Sequence, residues 1–116
     1  MNRVVEVRSY KLRSGARHAF HRAVKVHSVP MLLRWGTDVV AYGPSVVDES
    51  DYFLIRSYAS VDDMNQRQDA FYGSLEWQEG PRESIVSLID YSLNTLLWLS
   101  TVAIDDLRRS NAFAAN

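Results

Sequence analysis

Residues 3–12 are the first strongly patterned stretch of the chain, because apolar and polar side chains alternate there. Val5 and Val7 fall on one side of the alternation, and Glu6 and Arg8 fall on the other. A period of two residues is typical of a β-strand, in which successive side chains point to opposite faces of a sheet. The pattern therefore predicts a first strand over this stretch, ended by a Ser-Gly turn.

From residue 16 the apolar positions change to the spacing of a helix. The apolar stripe consists of Ala16, Ala19, Phe20, Ala23, Val24, His27 and Met31. Ser14 is of the residue type that caps helices, and Pro30 is expected to kink or end the helix locally because it cannot donate a backbone hydrogen bond. We therefore predict one amphipathic helix over residues 16–35, with His27 in the middle of its stripe.

The rest of the chain predicts three more strands and a second helical region. The strands are expected over residues 38–47, 52–58 and 91–99, and Gly43-Pro44 suggests a bulge or an edge strand in the first of them. Ser60 and Asp63 have the spacing of a capping box, with Asp in place of Glu, and predict a helix start. Residues 74–90 predict a broken helical piece interrupted at Gly80-Pro81.

The predicted order is strand, helix, strand, strand, helix, strand, which is the split βαβ arrangement of the ferredoxin-like fold. We therefore expect an α+β domain over residues 1–100 with a four-stranded antiparallel sheet. Its first and third strands should be central, and its helices should cover one face only. Residues 101–116 are expected to be a C-terminal tail, with one helical turn and a loose end.

Alternation along the first and third strands divides their side chains between the two faces of the sheet. The set expected to face the helices is Val5, Val7, Ser9, Phe53, Ile55 and Ser57. The set expected on the other face is Glu6, Arg8, Tyr10, Leu12, Tyr52, Leu54, Arg56 and Tyr58. Because this second set is rich in large apolar groups, we expect a second copy of the chain to cover it, giving a homodimer through the sheet face.

Composition narrows the possible partners. The chain has 116 residues, and 13 basic against 14 acidic side chains give a net charge of -1. This balance lacks the basic surface that phosphate backbones or anionic lipids select, so neither nucleic acid nor a membrane is expected as a partner. Cysteine is absent, which excludes disulfides and a thiol nucleophile. With a first segment that reads as a strand rather than a signal peptide, the chain is expected to be cytoplasmic.

Two segments carry a resemblance to a known family. The stretch FLIRSYASVDDMNQRQDAFYGSLEWQ, with Tyr58, Ser60 and the triplet at 76–78, resembles the second half of NIPSNAP-domain proteins. The stretch VEVRSYKLRSG resembles the opening strand of that family, and His27 lies where the family tends to have a histidine. The resemblance covers roughly residues 3–99. Arg56 departs from it, since the family often has a large apolar residue there, and the turn between the second and third strands is longer.

The resemblance implies a dimeric α/β barrel, in which two sheets pack face to face. The group of folds to which NIPSNAP domains belong includes cofactor-free monooxygenases, cyclases and isomerases, together with haem enzymes. By this resemblance the chain is expected to be such a cofactor-independent enzyme, acting on a small aromatic or polyketide-like molecule. The alternative is a non-catalytic ligand-binding or scaffold homodimer.

His27 is the candidate catalytic residue, because an imidazole pointing towards the sheet can act as an acid or base near neutral pH. The alternative is a core histidine whose nitrogens are hydrogen-bonded. Small side chains at Ser9 and Ser57 are expected to leave room for a cavity. The other candidate ligand-binding residues are Tyr10, Tyr58, Trp35 and Trp98.

The remaining charged and histidine side chains are given structural roles. Arg8 and Arg56 have the chemistry to hold a carboxylate or an enolate oxygen, but their predicted face makes pairing with Glu6 the expected role. His18 and His21 lack a nearby ligand at metal-binding spacing, so no metal site is predicted. The sequence contains no phosphate loop, nucleophile elbow or dinucleotide fingerprint, and no cofactor is expected.

Overall fold

Four antiparallel strands form one sheet in the order β2-β3-β1-β4. The computed structural model describes residues 1–116. The strands are β1 (Asn2–Leu12), β2 (Asp38–Pro44), β3 (Asp51–Tyr58) and β4 (Ile89–Ser100). This is the ferredoxin-like α+β arrangement predicted from the order of elements, with β1 and β3 at the centre and β2 and β4 at the edges.

The helices lie in three regions of the chain. They are α1 (Arg17–Ala23), a π-helical segment (Val24–Ser28), α2 (Val29–Arg34), α3 (Val61–Tyr72), α4 (Leu75–Gln78), α5 (Arg82–Val86) and α6 (Thr101–Ser110), followed by a 3₁₀ turn (Ala112–Ala115). The predicted start of α3 is confirmed, because the Ser60 side chain accepts a hydrogen bond from the Asp63 backbone. None of these helices is both long and apolar enough to span a membrane.

Two local predictions in this framework have different outcomes: the cap at Ser14 is wrong, and of the alternatives at Gly43-Pro44, a bulge or an edge strand, the edge strand is confirmed. The helix begins at Arg17 with Ala16 as its capping residue and no side-chain cap, so Ser14 does not cap it. The irregularity in β2 lies between Val39 and Ala41 rather than at Gly43-Pro44. The prediction that this strand lies at an edge of the sheet is confirmed.

The first helical region departs from α geometry earlier than Pro30. The Val29 backbone N–H donates to the Val24 carbonyl, five residues back, as in a π-helix. Pro30 follows at once and cannot donate to the preceding turn, which favours such a local departure. The wider turn keeps Ser28 buried on the sheet side and leaves His27 exposed. The prediction that His27 points at the sheet is therefore wrong.

The side chains of β1 and β3 were divided correctly between the two faces of the sheet, but the prediction of which set faces the helices was wrong. Leu12, Tyr52 and Leu54 form one core cluster with the helical residues Phe20 and Phe71. The larger side chains of this set fill the space beneath the helices, where Glu6 of the same set pairs closely with Arg56. The set that contains Val5 and Ile55 faces the other way and packs against α6.

The C-terminal segment is more ordered than the predicted tail with its loose end. Ser100 caps α6 by accepting a hydrogen bond from the Ala103 backbone, and Ile104 is buried against Val5 and Ile55. Arg108 donates to both carboxylate oxygens of Asp38, at 3.0 and 3.2 Å, and so ties the helix to β2. Part of the second face of the sheet is thus covered by the chain itself.

Candidate ligand-binding cavity

A cavity of about 430 Å³ lies between the helical layer and the sheet. Its apolar wall includes Phe20, Val24, Leu54, Trp77 and Ile85, which come from four different elements and the π-helical segment. A space of this size with mostly apolar walls is typical of a small-molecule site. The sequence predicted a cavity in this layer, but it predicted a different lining.

The strands β1 and β4 contribute most of the polar lining, β4 through the exposed residues Asp90, Tyr91 and Ser92. Arg8 and Tyr10 are two residues apart on β1 and therefore share one face of the sheet. Tyr72, from the last turn of α3, and Ser28, from the π-helical segment, complete the interior polar side chains. Exposed residues of the lining, among them Arg82 and Asp90, form the rim.

A buried ionic network lies beside the cavity and is centred on Glu6. Its carboxylate accepts from Arg56 Nε at 2.7 Å, Asn94 Nδ2 at 2.8 Å and Gln68 Nε2 at 3.0 Å. The side chains of Glu6 and Arg56 are both 0% exposed. Sequence analysis predicted this pairing, but on the other face of the sheet. Burial at this depth requires pairing of this kind, since an isolated buried charge is costly.

The network also sets the protonation state of Glu6. Burial alone would raise the pKa of this carboxyl, but Arg56, Gln68, Arg8 and Asn94 together outweigh it, and the pKa lies below its ordinary value. Glu6 is therefore an anion at neutral pH. Its negative charge is held mainly by Arg56 rather than offered to the cavity.

Arg8 is less fully bonded than Arg56. Its one hydrogen bond runs from Nη2 to Glu6 at 3.5 Å, the long end of the range. Its Nε is buried and has no hydrogen-bond partner. Arg56 also has a buried nitrogen without a hydrogen bond, Nη2, but this atom lies 2.6 Å from the Glu6 carboxylate, and Nη1 donates to the Tyr72 hydroxyl at 2.8 Å. Of the two guanidinium groups, only that of Arg8 lines the cavity, and its side chain is 23% exposed.

Two tyrosine hydroxyls add further hydrogen-bonding capacity to the cavity. Burial, followed by the neighbouring Tyr72, raises the pKa of Tyr10 to about 12. Tyr10 is therefore neutral and a donor at physiological pH. Tyr72 accepts from Arg56, which leaves its own proton free to be donated. Both tyrosine rings pack against neighbouring aromatic rings. The ring centroids of Tyr10 and Phe20 are 5.3 Å apart, and those of Tyr72 and Trp77 are 5.5 Å apart.

Of the predicted site residues, Tyr10 alone lines this cavity. His27 is exposed and outside it, and Ser9 is exposed on the opposite face of the sheet. Ser57 is buried on that opposite face, where its hydroxyl donates to Asp38 and accepts from Arg3.

The three remaining predicted residues are engaged elsewhere. Tyr58 is buried, and its hydroxyl accepts from Gln68 at 3.1 Å. Trp35 donates to Glu76 at 3.1 Å outside the helical layer. Trp98 is 62% exposed on the edge strand β4.

Sequence reasoning missed Arg8, Ser28, Tyr72 and Trp77 as lining residues. Arg8 carried a usable signal, since it shares its strand face with Tyr10. For Ser28 the sequence signal was weaker: it follows Phe20 and Val24 at intervals of four residues, which places it on the same side of the helix.

No cluster of three or more metal-ligating side chains is present. His21 instead lies with Nδ1 at 2.6 Å from the buried Tyr52 hydroxyl.

The strand order and the single helical layer around this cavity define a ferredoxin-like α+β protein. A NIPSNAP family protein from Agrobacterium tumefaciens has a similar structure, with a TM-score of 0.77 and 22% identity, over 88% of this chain and 90% of that one. An uncharacterised NIPSNAP-like domain protein from Burkholderia xenovorans has a similar structure, with a TM-score of 0.77 and 20% sequence identity. The match covers 85% of this chain and 86% of that one. The fold of this chain is therefore the NIPSNAP type, and the resemblance seen in the sequence is confirmed at the level of the fold.

A lower score links the chain to a protein described as a candidate antibiotic biosynthesis monooxygenase from Bordetella bronchiseptica. The TM-score is 0.64 at 19% identity, over 87% of this chain and 98% of that one. No family model and no curated protein matches the sequence. Identities this low establish a shared fold, and the function has to be argued from the cavity itself.

Proposed function

We propose that the protein binds a small, largely apolar organic molecule, aromatic or polyketide-like in size, in the cavity between its sheet and helices. The observation that carries this proposal is the cavity of about 430 Å³, whose mainly apolar lining also includes the polar side chains of Arg8, Tyr10 and Tyr72. An apolar enclosure supplies affinity through burial, and a few polar groups orient the ligand.

No cofactor is part of the proposal. A cytoplasmic location also stays a prediction, supported by the absence of cysteine.

Binding is favoured over acid–base catalysis by the groups that line the cavity. General acids and bases work best with a pKa near the working pH. The interior ionisable groups are Arg8, Tyr10 and Tyr72, and the pKa of Tyr10 is about 12. His27, the predicted acid or base, lies outside the cavity.

A second candidate is cofactor-independent catalysis of the monooxygenase, cyclase or isomerase type. It is favoured by one arrangement: a guanidinium and two tyrosine hydroxyls near one another are suited to stabilising an enolate oxygen. Incubation with 2-naphthol or 1-hydroxy-2-naphthoic acid, followed by mass spectrometry, separates the two candidates. Recovery of unchanged compound supports binding alone, whereas a product formed in proportion to protein supports catalysis.

The binding proposal is tested by filling the cavity. Val24 is buried and lines it, whereas Val26 is exposed on the same helical region. We expect Val24→Phe to weaken binding of 1-naphthalenemethanol at least about 10-fold in calorimetric titration, because the added ring takes up ligand volume. Val26→Phe, which adds the same ring outside, should leave the Kd within about 2-fold.

The titration also shows how the proposal can fail. If the wild-type protein does not bind naphthalene-sized probes saturably, the cavity is not a ligand site of this class. If Val24→Phe and Val26→Phe behave alike, with both variants folded by circular dichroism, binding takes place elsewhere on the molecule.

We also propose that the protein is a homodimer through the face of the sheet that lies opposite the helices. The support is an apolar strip on that face that α6 leaves open. It contains Val7, Phe53, Leu93 and Leu97, of which Leu93 is 66% and Leu97 38% exposed. The strip carries no charge, so a second copy can face it without like-charge repulsion, and a twofold axis lets one patch cover itself.

Light scattering tests the dimer. We expect the wild-type particle to have twice the mass of one chain at micromolar concentration, and Leu97→Lys to shift it towards one chain, because an unpaired charge at an apolar interface is costly. Leu33→Lys, at a position that is 56% exposed on the helical side, is the control and should leave the mass unchanged. If the wild-type protein is a monomer, the dimer proposal is wrong, whereas the proposal of ligand binding in the cavity is unaffected.

A further inference from the structure

The buried charges beneath the helices do not balance. Arg8 and Arg56 both approach the Glu6 carboxylate, and no other acidic side chain reaches either guanidinium. Gln68 and Asn94 donate to Glu6 without changing the charge. One positive charge is therefore left over beneath the helices.

The excess charge is located on Arg8. Arg56 lies at 2.6–2.7 Å from Glu6 and donates to Tyr72, so its position is fixed by short contacts. Arg8 has only the 3.5 Å contact to Glu6, a buried Nε without a partner, and a side chain 23% exposed in the wall of the cavity. The exposed part of this guanidinium faces the cavity, where an acceptor on a ligand can form charge-assisted hydrogen bonds with it.

We propose that Arg8 makes the cavity selective for ligands that carry an anionic oxygen, a carboxylate or an enolate, attached to an apolar body. Arg8 would hold this oxygen, and the hydroxyls of Tyr10 and Tyr72 would donate beside it. This inference rests on the proposed binding function and names the ligand class of the same site. It also gives a reason for placing an arginine in an otherwise apolar wall, since charge-assisted hydrogen bonds are the strong ones.

The rim does not supply the same selectivity. Arg82 and Asp90 both line the cavity and are exposed, and Arg82 lies 3.7 Å from Glu83. Their opposite charges largely cancel at the entrance, and water and salt screen what remains. A preference for an anion that persists in salt therefore points to the buried guanidinium.

Two probes of nearly equal shape test this inference. They are 1-naphthoate, which is ionised at neutral pH, and neutral 1-naphthalenemethanol. We expect the wild-type protein to bind naphthoate about 10- to 100-fold more tightly in calorimetric titration at 0.15 M salt, as the strength of hydrogen bonds to charged groups implies. Arg8→Met, which keeps the length of the side chain and removes its charge, should abolish the preference while binding of the neutral probe is retained.

Arg82→Met is the matched control, since it removes the same charge from the rim. It should keep at least most of the preference for naphthoate. Equal affinity of the wild-type protein for the two probes, or an undiminished preference in Arg8→Met, would overturn the inference while the binding function stands. If neither probe binds the wild-type protein, the proposed function itself fails, so the two failures are distinguishable.

Discussion

Glu6 shows why charged side chains are tolerated beneath the helical layer. Its carboxylate is fully buried and accepts hydrogen bonds from an arginine and two amides, one of them Gln68 on α3, so the network satisfies its oxygens beneath the helices. Alternation in β1 predicted that Glu6 and Arg8 share a face. The predicted face was the wrong one, because charged residues usually indicate the more solvated side and only the pairing with Arg56 reverses this.

Removing the buried charge should destabilise the protein strongly. Glu6→Gln keeps the size of the side chain but leaves Arg56 without a counter-ion, and we expect a loss of about 3 kcal/mol in the free energy of unfolding. Urea denaturation at about pH 7 measures it. Glu83→Gln, at a side chain that is 87% exposed, is the control and should change stability by less than about 0.5 kcal/mol.

The loss of stability in Glu6→Gln should also depend on pH. The pKa of Glu6 is lowered by folding, so its stabilising contribution is present above the pKa of the unfolded chain and is lost as the pH falls through the folded value. The stability gap between wild-type protein and Glu6→Gln should therefore shrink in acid below about pH 4. A gap that stays constant between about pH 7 and pH 3 would contradict the ion-pair account.

The first helical region shows how far the sequence determines an element. Helical spacing predicted its extent, from about Ala16 to Trp35, and its buried residues Phe20 and Val24. The π-helical segment was not predicted, because its signal is a single proline whose local effect depends on packing. That one extra residue in a turn moved His27 to the surface and brought Ser28 into the cavity. An error of one residue in a helix thus changed the candidate site.

The helix α6 shows a second limit of sequence patterns. It is a short amphipathic helix, and what makes it part of the fold is contact with distant segments, through Ile104 in the core and Arg108 on Asp38. Such long-range contacts leave little trace in a local pattern. The capping signal at Ser100 is the same type that correctly predicted α3 at Ser60, and it was the usable clue.

At the scale of the whole molecule, the two faces of the sheet differ in what they contain. One face and the helices enclose the cavity and the ionic network, and the other combines a helix of the same chain with an open apolar strip. The order of elements predicted the fold because each element had a clear period and length. The cavity lining was less predictable, since it joins side chains from β1, β3, five helical segments and β4 that only the folded chain brings together.

The most direct test of this account is a crystal structure of the protein with 1-naphthoate bound. We expect the ring between the helices and the sheet, against Phe20 and Trp77. A carboxylate oxygen should lie within about 3.2 Å of an Arg8 guanidinium nitrogen. A ring bound outside the cavity, or a carboxylate turned towards Arg82 at the rim with Arg8 unbonded, would contradict the account.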